Sequence, residues 1–151
     1  MTIQGTHRIA ALPQLVFDRL IDPAVLQQAI TGCEKLEKTG ADEYIAHLRL
    51  GIASIKGSYT GKVKLTDQEP PHKFTLHIDG KGGPGFVKGI STIELREEDG
   101  ATNLQYSAEV QVGGLIAAVG SRMIEAAAKK MAAEFFHKFA AMVGGAGKPA
   151  R

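Results

Sequence analysis

A single cysteine, Cys33, is the whole thiol content of these 151 residues. That excludes an intrachain disulfide and fits a reducing compartment. No stretch reaches the roughly 18 consecutive apolar residues that cross a bilayer as a helix. The candidate nearest to one, close to the C-terminus, carries Arg122, Glu125, Lys129, Lys130, Glu134 and Lys138. The opening residues, Met1 to Ala11, lack the apolar core of a secretory leader, so a soluble cytoplasmic protein is expected. Neither charge dominates: 18 basic residues stand against 16 acidic ones, and the signs alternate rather than forming blocks. Phosphate backbones call for a concentrated cationic stripe, so nucleic acid is not an expected partner. Cysteine pairs at metal spacing, H-E-x-x-H and G-x-S-x-G are missing too. No catalytic residue, metal or cofactor is expected.

What is present is an ordinary globular composition, 44% hydrophobic and 23% charged, with a clear change of period along it. One domain is expected over residues 1–143, with a flexible tail over 144–151. Residues 2–11 suit a first strand. Pro13 fits the opening position of a short helix over Gln14 to Leu20. Asp22 before Pro23 repeats that start, a capping carboxylate ahead of a ring already set at helical φ. This second helix runs to about Ile30 and ends at Gly32.

From Cys33 to Val112 the side chains alternate with a period of two. Tyr44, Ala46, Leu48, Leu50 and Ile52 share one face. So do Tyr59, Gly61, Val63 and Leu65, then Phe74, Leu76 and Ile78, and then Leu104, Tyr106, Ala108, Val110 and Val112. Between 86 and 95 the same count places Val87, Gly89, Ser91, Ile93 and Leu95 inward. Turn chemistry at Thr39 to Asp42, Glu69 to Pro71, Gly80 to Gly85 and Glu98 to Gly100 separates the runs. Such alternation means an antiparallel sheet with one wet and one dry face.

A dry face needs a cover, and a helix spanning roughly Gly114 to Val143 is the one element long enough. The expected fold is α+β, a helix grip: a curved antiparallel sheet of about seven strands around a long C-terminal helix, with two short helices after the first strand. Ile124, Met131, Phe135, Phe139 and Met142 form a bulky stripe at helical spacing. Continued backwards it meets Ala117, Gly120 and Ser121, which are too small to fill the space beneath a helix. Gly89 and Ser91 leave similar room on the sheet. An internal apolar cavity follows, with walls expected at Leu48, Ile52, Tyr59, Leu76, Tyr106, Gly120, Ile124 and Met131. Leu115, Ile116, Val119 and Met123 lie off the stripe, where a dimer contact, a membrane- or partner-docking surface and packing against the short helices all remain open. Lys129 and Lys130 nearby suit transient contact with an anionic bilayer.

Other features have plainer readings. Gly80-Lys81-Gly82-Gly83-Pro84-Gly85 spells G-x-G-x-x-G, but strand follows strand here and no helix N-terminus awaits a pyrophosphate, so it reads as a hairpin tip. Cys33 has no neighbouring base and reads as a small residue at a helix exit. His7, His47, His72, His77 and His137 are scattered, and no acid–base side chain is expected to face the cavity. Tyr44, Tyr59 and Tyr106 do face it. Their hydroxyls either bond to protein or water, or one of them donates to a ligand head group.

Asp22-Pro23-Ala24-Val25-Leu26, then Ile30-Thr31-Gly32-Cys33-Glu34 and Leu36-Glu37, resemble the CoxG family, named for a subunit of carbon monoxide dehydrogenase. So do Lys56-Gly57-Ser58-Tyr59-Thr60-Gly61-Lys62-Val63 and the run from Gly113-Gly114-Leu115 through Val119-Gly120-Ser121-Arg122 to Phe135-Phe136. The order of elements resembles START domains and birch-pollen-allergen-like proteins. The resemblance implies a partner of carbon monoxide dehydrogenase-like molybdenum hydroxylases that binds a hydrophobic molecule, a quinone or other isoprenoid lipid, or brings the enzyme to the membrane. Cyclase-type enzymes among helix-grip relatives supply a further alternative. Thr31 stands where the family commonly has proline, and the chain stops at Arg151 where many members continue into a membrane anchor.

Overall fold

In the computed structural model of this chain, which describes residues 1–51 and 56–146, seven strands form one antiparallel sheet in the order β1-β7-β6-β5-β4-β3-β2. The strands are β1 (Thr2–Ile9), β2 (Cys33–Gly40), β3 (Glu43–Leu50), β4 (Gly57–Glu69), β5 (Lys73–Gly82), β6 (Gly85–Glu98) and β7 (Ala101–Gly113). β2 to β7 meander through consecutive hairpins, whereas β1 pairs with β7 at the far edge. The chain must therefore travel from one edge of the sheet to the other between β1 and β2. It does so through α1 (Pro13–Leu20) and α2 (Pro23–Ala29).

Local chemistry accounts for both short helices. Pro13 and Pro23 occupy first-turn positions, where a missing N–H costs nothing. Asp22 Oδ1 accepts the Ala24 N–H at 3.0 Å, which caps α2. Val16, Phe17 and Leu20 of α1 are buried, and Phe17 meets Phe74 edge-on at 5.4 Å between centroids.

The long C-terminal helix is shorter than the sequence suggests. Gly114–Val119 form a 3₁₀ helix, Gly120 breaks the axis with φ +95°, and α3 covers Ser121–Ala146. Three residues of the expected tail, Gly144 to Ala146, thus belong to α3, and residues 147–151 lie outside the described ones. α3 packs on β1, α2 and α1. Its last turns carry the weight of that packing, because Phe136, Phe139 and Val143 are buried among Ile9, Phe17, Phe74 and Leu104. At roughly 1.5–3 kcal/mol for each large apolar side chain removed from water, this cluster anchors one end of the molecule. A second, smaller cluster of Leu50, Tyr59, Ile116 and Ile124 closes the other end.

The alternation read from the sequence appears as burial. Tyr44, Ala46, Leu50, Tyr59, Leu65 and Phe74 are buried, as are Ser91, Ile93, Leu95 and Leu104. Phe86, Lys88 and Ile90 point to solvent between them.

Candidate functional site

Between the two clusters, α3 and the sheet fail to meet. The gap is a cavity of about 360 Å³, within the range that holds small ligands. Its floor is the inner face of β3 to β7, including Ala46, Val63, Leu76, Ser91, Tyr106, Ala108 and Val110. Its roof is α3 through Ala128, Ala132, Phe135 and Phe136, and its end wall is Leu20, Leu26 and Ile30. The opening exists because alanines occupy the roof where bulk would close it. Among the described residues, no charged side chain lines this space. A larger depression of about 520 Å³ mixes His77, Asp79, Lys88 and Glu109 with apolar side chains such as Ile90.

The residues expected on a cavity wall are divided between the apolar space and other parts of the molecule. Leu76 and Tyr106 line the space. Leu48, Tyr59, Ile124 and Met131 pack together in the smaller cluster at the other end. Ile52 lies outside the described residues. Gly120 is exposed, and a side chain built there would meet nothing within 4 Å. Ala117 and Ser121 are exposed as well. For Ala117, Gly120 and Ser121 the cause is that the stripe, extended backwards at helical spacing, runs through a point where the backbone leaves the helix. Ala128 and Ala132, hidden in an alanine-rich stretch of α3, are the small residues that leave the roof open instead.

The quartet expected off the stripe also divides. Leu115 and Met123 are exposed, at 74% and 52%, whereas Ile116 is buried and Val119 packs beside it. Arg122 is exposed, and Glu125 pairs with Lys129 at 3.2 Å.

The three tyrosines behave differently. Tyr44 donates its hydroxyl proton to the Ile21 carbonyl at 2.7 Å, which ties β3 to the end of α1. Tyr59 sits in the smaller cluster. Tyr106 lines the cavity, and its ring lies over Gly5 of β1, where a Cβ would come within 2.8 Å of the ring. Only glycine at position 5 leaves that ring its place. Among the described residues, the Tyr106 hydroxyl has no hydrogen-bond partner. Burial pushes all three phenols up, with nearby Lys129 partly offsetting this at Tyr106, so each keeps its proton near neutral pH.

One histidine is a correction. His7 points inward from β1, with its imidazole stacked on Phe136 at 4.3 Å and 24° and parallel to Tyr106 at 6.0 Å and 7°. Burial pulls its pKa down. It stacks against Phe136 and Tyr106, which line the cavity, and does not line the space itself. The alternation Ile3, Gly5, His7, Ile9 is available in the sequence, since the two isoleucines mark the inner face.

Thr31 reaches further than the end of α2: its hydroxyl donates to Glu134 Oε1 at 2.8 Å and ties that loop to α3. Cys33 Sγ lies 3.5 Å from the Lys35 carbonyl, and burial pushes its thiol up, away from the thiolate a nucleophile needs. Among the described residues, no group of three or more His, Cys, Asp or Glu is placed to hold a metal. No helix among the described residues is long and apolar enough to cross a membrane.

A curved sheet gripping a C-terminal helix, with two short helices across one end and an apolar cavity between, defines a START-like helix-grip domain. That architecture fits a ligand-binding role. The chain belongs to the carbon monoxide dehydrogenase CoxG family, whose profile it matches over residues 5–144. A conserved protein from Geobacillus kaustophilus has the same structure at TM-score 0.93 and 36% identity, with 96% of each chain covered. A START superfamily protein from Mycobacterium smegmatis aligns at TM-score 0.77 and 12% identity, over 94% of this chain and 96% of that one. The Zhui aromatase/cyclase of Streptomyces sp. R1128 aligns at TM-score 0.72 and 14% identity, over 95% and 93%. Those last two likenesses concern the fold. No curated protein matches the chain by sequence.

Proposed function

We propose that this protein binds and carries a hydrophobic small molecule, a quinone or another isoprenoid lipid, in the cavity beneath α3, and that it is not an enzyme. The observation that carries this reading is the apolar space of about 360 Å³, walled among the described residues by aliphatic and aromatic side chains and Ser91, with no charged group. An apolar ligand leaves water on entering, and its transfer drives binding. Acid–base chemistry would need a titrating group against the ligand. His7 is not among the residues lining the space, and the tyrosines hold their protons.

Membership of the CoxG family supports service to a carbon monoxide dehydrogenase-like molybdenum hydroxylase, with the protein in the cytoplasm and in transient contact with the inner face of the membrane. The exposed Leu115 and Met123, at the end of the molecule away from the main core, suit such contact. They serve equally the alternative role of recruiting the enzyme without a ligand.

The test is mass spectrometry of an organic extract from natively purified protein, paired with thermal unfolding in the presence of a short-chain quinone. A prenylated molecule near one equivalent is expected, together with a rise in Tm that grows with the logarithm of quinone concentration. A clean extract and an unmoved Tm would discard the carrier reading and leave recruitment.

A further inference from the structure

The cavity is apolar except at two points. Ser91 sits mid-floor on β6, between Leu76 of β5 and Ala108 of β7, its partners in register. It is only 6% exposed, and among the described residues its hydroxyl has no hydrogen-bond partner. Tyr106 stands on β7 two residues from Ala108, diagonal to Ser91 and on the same face. Its hydroxyl is also unpartnered among the described residues. Tyr44, which shares the lining, is already committed to the Ile21 carbonyl.

Among the described residues neither hydroxyl is used within the protein, and both open onto the cavity, so the partner each needs must come from what occupies that space. A wall meant only for hydrocarbon would place alanine or valine at 91 and phenylalanine at 106. Diagonal neighbours on adjacent strands lie roughly 7–8 Å apart, so a single flat head group reaches both positions. No cation lines the space among the described residues, and Lys129, the cation near Tyr106, is already paired with Glu125 at 3.2 Å, so a carboxylate or phosphate there would compete for a charge already neutralised. An uncharged carbonyl oxygen accepts from a hydroxyl and carries no such penalty.

We propose that Ser91 and Tyr106 form the recognition point for the carbonyl oxygens of an otherwise apolar ligand, and so select a carbonyl-bearing molecule over a plain hydrocarbon. This rests on the reading of the cavity as a carrier site and adds which end of the ligand is read, and by which atoms. Tyr106 reads from the β1 side, where its ring covers Gly5, and Ser91 reads from the centre of the floor.

The experiment compares a short-chain prenylated naphthoquinone with the matching prenylated naphthalene that lacks both oxygens. Binding of each to the full chain is measured by calorimetry for the wild type, Ser91→Ala and Tyr106→Phe. The wild type is expected to favour the quinone, and each variant to lose roughly three- to tenfold on the quinone with no change on the hydrocarbon. The ligand-free Tm of Ser91→Ala is expected to hold, because the hydroxyl makes no bond within the protein that the substitution would remove. Equal binding of both probes by all three proteins would overturn this proposal and leave the carrier reading standing, as would a fall in the Tm of ligand-free Ser91→Ala. Binding of neither probe by the wild type would overturn both.

Discussion

The imidazole of His7 lies 4.3 Å from the ring of Phe136, centroid to centroid, and joins edge strand β1 to helix α3 across the inner face. Proton uptake there works against burial, which is why the folded-state pKa falls below its ordinary value near 6.5. Below that ordinary value the unfolded chain takes up a proton that the folded one resists, so the contribution of His7 is complete above about pH 6.5. It is lost as pH drops from there through the lowered pKa. A series of melts from pH 7.5 to 5 is expected to show Tm declining, and His7→Phe is expected to flatten that part of the profile. An unchanged slope in the variant would assign the decline to other groups.

Tyr44 and Tyr106 present the same chemistry to opposite ends. Removing the Tyr44 hydroxyl orphans the Ile21 carbonyl, so Tyr44→Phe is expected to cost about 0.5–1.5 kcal/mol in denaturant titrations. Quinone affinity should hold, because that hydroxyl is already spent within the protein. Tyr106→Phe is expected to show the reverse. A stability loss from both, with no binding loss from either, would make the two hydroxyls structural alike.

How much of this is legible in the sequence follows from what sets each feature. Two periods, 2.0 for strands and 3.6 for helices, are written directly in side-chain order, so the sheet, its dry face and the inward Ser91 are readable. Asp22-Pro23 announces α2 by local chemistry alone. The cavity wall is harder, because it depends on where α3 begins. Gly114 to Val119 carry good helix formers, and nothing short of tertiary contacts reveals that the Ile116 N–H is taken by the Pro84 carbonyl, which fixes this segment against the β5–β6 hairpin. From that point the face assignment turns wrong, and Gly120 goes to the wall in place of Ala132. His7 escapes for a simpler reason: the first strand is recognisable without its faces being assigned.

Gly120 and Ala132 separate two effects that the sequence merges. At φ +95° and ψ 149°, Gly120 occupies a region that other residues reach only with strain. Gly120→Ala is expected to destabilise the fold by about 1–3 kcal/mol while leaving ligand uptake unchanged, since no wall atom lies near. Ala132→Leu adds bulk to the roof. It is expected to abolish uptake of a short-chain quinone and to leave Tm of the ligand-free protein equal or higher. Normal binding by Ala132→Leu would place the ligand elsewhere.

Leu115 and Ile116 are neighbours in sequence with opposite environments, 74% and 2% exposed, and this makes the docking surface testable without confounding it with stability. Ile116 is part of the smaller cluster with Leu50, Tyr59 and Ile124, so Ile116→Ala is expected to cost about 2–5 kcal/mol in a chemical unfolding curve. Leu115→Ser and Met123→Ser remove mostly surface already in water, Met123 being half-exposed, so their melts should fall far less than that of Ile116→Ala. If that surface lays the protein transiently on a bilayer, the double variant should lose most of its sedimentation with anionic vesicles, whereas it should not with zwitterionic ones, where binding is weak at the outset. High salt should reduce the wild-type signal without removing it, because part of the attraction is apolar and unscreened. Undiminished sedimentation of the double variant would move the contact away from the 3₁₀ segment and leave Leu115 and Met123 for a protein partner.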